Sequence, residues 1–157
     1  MFTDRVRYVY LSGPMLGLKN SDAKSWRDKA KDDFDPGIIT LDPMRGKEDI
    51  PNDEVLSESY NQGLITNQRA IYSRDKYDVV VLADALLVNL LQGKDRVSIG
   101  TMFEMAWADG APKHIPIVTV MQNKGNIHDH PFVREVSAWI VDNMKDAIYI
   151  LNTILLP

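Results

Sequence analysis

Short apolar runs alternate with stretches of helical spacing along the whole chain. Arg7–Ser12 (RYVYLS) is a β-rich run that ends at Gly13-Pro14, a strong turn signal. Ser21–Phe34 has helical character, with Ala23, Trp26 and Ala30 spaced among charges, and Asp35-Pro36-Gly37 stops it. Ile38–Leu41 is a second short strand, closed by Asp42-Pro43. Arg45–Ser59 is polar and acid-rich and reads as a loop of a length that is usually functional or disordered. Asn61–Tyr77 looks helical, and Val79–Val81 fits either a strand or a helix end. Ala85–Asn89 reads as a buried strand, Gln92–Arg96 as a polar loop, and Ser98–Ala108 as a helix reached through a Ser/Gly/Thr turn. Ile115–Met121 reads as a strand and Gln122–Asp129 as a loop. Pro131–Asn143 reads as a helix with proline in its first turn, and Ala147–Ile150 as a last strand.

Strand–helix alternation repeated about five times implies an α/β domain with a parallel sheet and helices on both faces. Ligands in such sheets sit beyond the carboxyl ends of the strands. The segments that follow strands are therefore the ones to watch: Ser12–Gly17, Asp42–Arg45, Asn89–Thr101 and Gln122–Pro131.

Composition narrows the chemistry. The 157 residues fit one domain, residues 1–157, with no composition break and no repeat at solenoid periods. No cysteine is present, which excludes thiolate catalysis, iron–sulfur clusters and Cys-type zinc sites. The net charge of −4 argues against binding a nucleic-acid polymer, yet permits a small anionic ligand in a locally positive pocket. The amino-terminal segment has no apolar core of signal-peptide length, and Val79–Leu91 is too short to span a bilayer. The expected placement is cytoplasmic, with no membrane partner.

Three constellations carry candidate chemistry. Leu11-Ser12-Gly13-Pro14-Met15 follows the first strand, where a glycine lets a ligand approach the backbone; an ordinary strand-to-helix turn reads the same way. Neither G-x-G-x-x-G nor a Walker A sequence occurs. In Ser98-Ile99-Gly100-Thr101-Met102-Phe103-Glu104, Ser98, Gly100 and Thr101 precede or open a helix whose N-terminus suits a phosphate or carboxylate. Thr101-x-x-Glu104 equally matches a capping box. Glu104 has apolar neighbours, and burial there would raise its pKa toward nucleophilic or acid–base work. The acids Asp75, Asp78 and Asp84 form the third set: Asp84 suits a turn or cap, while Asp75 and Asp78 suit either a solvated helix end or half of a carboxylate pair for glycosidic chemistry. His114, His128 and His130 lack a convincing third ligand for a metal, and G-x-S-x-G is absent.

Taken together these residues resemble the nucleoside 2-deoxyribosyltransferase family over nearly the whole chain. The resemblance rests on Tyr10-Leu11-Ser12-Gly13-Pro14, Arg74-Asp75, Ala83-Asp84-x-Leu86-Leu87-Val88-Asn89, Ser98-Ile99-Gly100-Thr101-x-x-Glu104, and His130-Pro131. It implies a Rossmann/flavodoxin-like five-stranded domain assembled as a homodimer or larger homo-oligomer, with sites completed by a neighbouring subunit. It implies a retaining mechanism with no metal or organic cofactor. Glu104 then matches the nucleophile that attacks C1′, and Asp75 the acid that assists departure of the base. By the same resemblance Gly13 lies against the sugar, Ser12, Pro14, Met15, Asn89, Gly100 and Thr101 are expected among the substrate-binding residues, and Pro43, Met44 and Arg45 fall in the variable base-binding part.

One departure bears on the substrate. Members acting on free nucleosides usually carry an aspartate six residues before the nucleophile, where this chain has Ser98. The related 2′-deoxynucleoside 5′-phosphate N-hydrolases have a serine there. A carboxylate would repel a phosphate, whereas a hydroxyl at a helix N-terminus accepts it. Val136-Ser137-Ala138-Trp139-Ile140 also resembles the hydrolase segment whose serine reaches the phosphate of the adjacent protomer. Ser98 and Ser137 thus favour a 5′-monophosphate. The other reading is a nucleotide-binding or sensing module on the same fold without turnover.

Overall fold

The computed structural model describes residues 5–57 and 61–157. Five strands form one sheet: β1 (Arg7–Ser12), β2 (Ile38–Leu41), β3 (Ala85–Asn89), β4 (Ile117–Val120) and β5 (Trp139–Val141). Their order is β2-β1-β3-β4-β5, and every pair is parallel. Five α-helices connect or follow them: α1 (Asn20–Asp33), α2 (Gln68–Tyr77), α3 (Ile99–Asp109), α4 (Pro131–Val136) and α5 (Met144–Leu155). This is the expected α/β architecture with a flavodoxin-like strand order.

Side chains of a strand point alternately to the two faces of its sheet. Tyr10, Leu86, Val88 and Ile117 therefore join one core with Val79, Met105, Ala108 and Val133, from the α2–α3–α4 side. Val9, Leu11, Ala85, Leu87, Val118 and Val120 join the other, with Ala30 and Phe34 at α1 and Ala147, Ile148 and Leu151 of α5. The central strands β3 and β4 are wholly buried, as a sheet covered on both faces requires.

Several boundaries differ from the sequence reading. Helix α2 begins only at Gln68, where the Asn67 side chain accepts from the Ala70 amide; residues 61–67 are turns rather than helix. Of the two readings of Val79–Val81 the helix end holds: Asp78–Leu82 is a π-helical turn continuing α2, closed by the Ala83 amide donating to the Asp78 carbonyl. The helix expected over Pro131–Asn143 stops at Val136, and Trp139–Val141 is instead the edge strand β5. The strand expected at Ala147–Ile150 lies inside α5, whose N-cap Asn143 accepts from the Asp146 amide and whose buried residues 147, 148 and 151 fall on one helical face. No helix of the described residues is long and apolar enough to cross a membrane.

Candidate active site

Two elements put a carboxylate where the sheet opens. On α3 the buried residues are Thr101, Glu104, Met105 and Ala108, an i, i+3, i+4, i+7 stripe that carries Glu104 inward against the sheet. On β1, Tyr10 and Ser12 share a face by the two-residue period, and that face meets α3. The Tyr10 hydroxyl donates to Glu104 Oε1 at 2.8 Å, and the Ser12 hydroxyl donates to Oε2. Glu104 is thus no capping-box partner of Thr101: the N-cap of α3 is Ser98, and the Glu104 carboxylate is fully engaged by β1. Burial raises its pKa to about 7, against the downward pull of the Ser12 and Tyr10 hydrogen bonds.

Asp75 lies on the buried side of α2, four residues after Ile71. Burial raises its pKa, and Arg74 opposes the rise through a hydrogen bond of 2.9 Å and an ion pair of 2.8 Å to Oδ1. Glu104 and Asp75 both line a cavity of about 740 Å³, and the Asp75 charge adds to the upward shift of Glu104. Gly13, Pro14, Met15, Ser98, Gly100 and Thr101 line the same cavity, and Ser12 lies just behind it on Glu104. Gly13 is there because nothing larger fits: a Cβ would stand 2.8 Å from the Asn89 carbonyl oxygen of β3.

The cavity's second polar end is the start of α3. The amides of a first helical turn have no intrahelical acceptor. Gly100 leaves open space beside them, and the Ser98 and Thr101 hydroxyls lie 2.9 Å apart. The Ser98 amide instead donates to His128 Nε2 at 2.9 Å, and His128 Nδ1 lies 3.1 Å from Asn126 Oδ1. An Nε2 that accepts places the imidazole proton on Nδ1, and burial, which lowers the His128 pKa, favours that neutral ring. Tyr72, Phe103 and Trp107 add an aromatic wall, Tyr72 and Phe103 each meeting Trp107 edge-on.

Besides Ser12 and Met44, four residues expected at the site do not line the cavity. The Pro43 and Arg45 carbonyls accept from Arg74 at 2.7 and 3.0 Å, and the Arg45 guanidinium is paired with Asp78 at 2.5 Å. Both therefore brace Arg74, and Asp78 is buried rather than a solvated helix end. Asn89 accepts from the Leu91 amide, shaping the turn after β3. The Ser137 hydroxyl donates to the Val133 carbonyl and lies 2.7 Å from Thr119 Oγ1, beyond α4 and away from this chain's cavity. Asp84 is a structural carboxylate, accepting from the Tyr8 amide and pairing with Arg5. Among the described residues no group of three or more His, Asp or Glu is arranged to hold a metal ion.

Arg27, Lys47 and His128 were not assigned to the site from sequence. Arg27 is fully buried beneath β1, donating to the Leu11, Ala23 and Gly13 carbonyls and stacked 4.4 Å above Trp26. It sits among the ordinary charges of α1, and only its inward position relative to Ala23 and Ala30 marks it.

No family model and no curated protein sequence matches the chain. Among solved structures, a crystal structure of a conserved protein from Enterococcus faecalis V583 is similar, with a TM-score of 0.67 at 14% sequence identity; the match covers 96% of this chain and 99% of that one. The likeness extends over the whole α/β domain and concerns its fold alone.

Proposed function

We propose that this chain cleaves the N-glycosidic bond of 2′-deoxynucleosides or their 5′-monophosphates, with the 5′-monophosphate favoured. The observation that carries the reading is the buried Glu104 carboxylate, held by Tyr10 and Ser12 and facing a cavity that Asp75 also lines. In the proposed reaction a Glu104 oxygen bonds to C1′ while the C1′–N bond breaks. The bond pair passes to the base nitrogen system, which takes a proton from Asp75. Water then bonds to C1′ and gives its proton to Asp75, and the Glu104–C1′ bond breaks to restore the carboxylate. A second free base in place of water would make the reaction a transfer. The amides and hydroxyls at the start of α3, with Ser98 in place of a carboxylate, support an anionic 5′ end. Completion of the cavity by a second copy of the chain belongs to the same reading, with Ser137 reaching a neighbouring protomer's substrate.

The test is a panel: dAMP, dGMP, dCMP and dTMP, and the matching nucleosides with and without a second free base, analysed by chromatography. Free base from nucleotides and little from nucleosides is expected, with Glu104→Gln inactive. Full base release by Glu104→Gln would remove the covalent mechanism. Thermal stabilisation by the nucleotides without any base release would identify a binding module instead.

A further inference from the structure

Lys47 is a largely buried lysine whose ammonium reaches the cavity rather than a protein acceptor. It lies in the turn after β2 and is only 8% exposed, yet it lines the cavity. Its cationic neighbours are all engaged: Arg45 by Asp78, Arg74 by Asp75, and Arg27 by three carbonyls and Asp42. Among the described residues no acceptor lies within hydrogen-bonding or ion-pair distance of the Lys47 ammonium. Burial lowers its pKa, and Asp75 is the strongest of the charges favouring its ionised form. A largely buried lysine whose ammonium reaches a cavity without a protein acceptor is placed to donate to a ligand there.

An ammonium has three donors and no acceptor. The ligand atom it meets must therefore be an acceptor. On the proposed reading of the reaction, on which this step rests, the Asp75 end of the cavity receives the leaving base. Ile50 and Leu56, from the same segment as Lys47, supply apolar lining for a flat ring, so recognition falls to a few polar groups. A 6-oxopurine offers O6 beside N7, two adjacent acceptors; a 6-aminopurine offers an N6 donor beside N7. Lysine matches the first edge and meets a donor on the second.

We propose that Lys47 is the base-specificity determinant of this cavity and selects 6-oxopurine substrates over 6-aminopurine ones by donating from its ammonium to O6.

The pair dIMP and dAMP tests this claim: along the edge that carries N7 the two differ only in O6 against N6–H2, and away from it N1 is a donor in dIMP and an acceptor in dAMP. Binding is measured by calorimetry on the Glu104→Gln protein, in which turnover is blocked. We expect dIMP to bind about tenfold or more tightly than dAMP, the scale of one hydrogen bond to a charged group. Adding Lys47→Met should bring the two affinities within about twofold, mainly by weakening dIMP. Equal binding of the two nucleotides with Lys47 intact, no binding of either, or a preference that survives Lys47→Met would each overturn the proposal. If Lys47→Met proves unfolded by circular dichroism, the comparison with Lys47 intact decides alone. Base release from the same two nucleotides by the unsubstituted protein reports separately on the reaction: a binding preference without base release removes the glycosidase reading and leaves the Lys47 selection standing.

Discussion

Glu104 is the residue whose surroundings can be read through pH. Burial raises it to about 7, and the Tyr10 and Ser12 hydroxyls hold it from rising further. A carboxylate nucleophile works only when ionised, so kcat/KM for base release should climb as pH rises through about 7. Tyr10→Phe removes one donor to the ionised form and should move that limb upward, by roughly one pH unit. An unchanged limb in Tyr10→Phe would mean that another group sets it. The same shift has a stability sign. Glu104 binds its proton more tightly folded than unfolded, so its favourable contribution is complete below about pH 4.5 and is lost as pH rises through about 7. Glu104→Gln should therefore gain stability over the unsubstituted protein at pH 8.5, by up to roughly 3 kcal/mol, and the gain should vanish near pH 4.5. Thermal melts at the two pH values check this; a mutant destabilised equally at both would show that packing, not charge, governs the position. Gly13→Ala tests a different constraint at this scale. Its Cβ would press on the backbone oxygen of Asn89, so the β1–α1 turn must shift, costing on the order of 1–3 kcal/mol and most of the activity. Chemical denaturation beside the base-release assay measures both. Glu104, Ser12, Gly13 and Asp75 stand out in the sequence because they sit in ordered short motifs just after or between strands. Tyr10 opens the same motif as Ser12 and Gly13 but draws no role there, because a tyrosine in a strand is unremarkable; its shared parity with Ser12 marks it as facing the same carboxylate. Lys47 was hidden in a polar loop whose burial no local pattern announces.

At the scale of elements, α3 carries most of the site, because one helix presents its N-terminus to one end of the cavity and its buried stripe to the other. That division allows the two ends to be altered separately. Ser98→Asp leaves Glu104 in place and puts a carboxylate at the N-cap of α3, a position helices tolerate well. It should cut base release from dIMP by ten- to a hundredfold, roughly one lost anion contact plus repulsion, while leaving the low release from deoxyinosine unchanged. Parallel kcat/KM values for the nucleotide and the nucleoside measure this, and equal losses on both would place the phosphate elsewhere. The elements themselves were most legible where burial was strongest. β1 and β3 have the boundaries the apolar runs indicate, and β3, buried along its whole length, reads as a continuous hydrophobic stretch; β2, a partly exposed edge strand, is bounded instead by the Asp35-Pro36-Gly37 and Asp42-Pro43 turn signals. The carboxyl-terminal third misled for the opposite reason. β5 is a three-residue edge strand, partly exposed, and Val133, Val136 and Ile140 around it mimic helical spacing. Ala147–Ile150 then mimics a strand, and only the Asn143 cap reveals a helix.

Across the whole molecule, the site's position follows from strand order more than from any one motif. The chain runs from β1 outward to β2 and then crosses back to β3, so the carboxyl ends of β1 and β3 part at the switch point. Ser12 pairs with Val88 there, Gly13 packs on Asn89, and Glu104 is held directly above. Alternating elements were enough to forecast a parallel sheet, but the sequence carries no local mark of which two strands flank the switch. The cavity that results is lined by the turn after β1, by α2 and by α3. Its rim remains apolar and open: Ile99 is 71% exposed and Phe103 51% exposed, and both line the cavity. Exposed apolar side chains gathered at a ligand cavity are the usual mark of a surface that is covered in use. On the proposed reading that cover is a second copy of the chain. Sedimentation should accordingly give a dimer or larger assembly. Phe103→Asp, which sets a charge on the rim without touching Glu104 or Asp75, should shift the assembly toward monomer and reduce base release at least tenfold, about the loss of one aromatic anchor's contact. A monomeric unsubstituted protein with full base release would refute the shared site, and a Phe103→Asp protein that stays assembled yet loses activity would place Phe103 on the substrate rather than on the neighbouring copy.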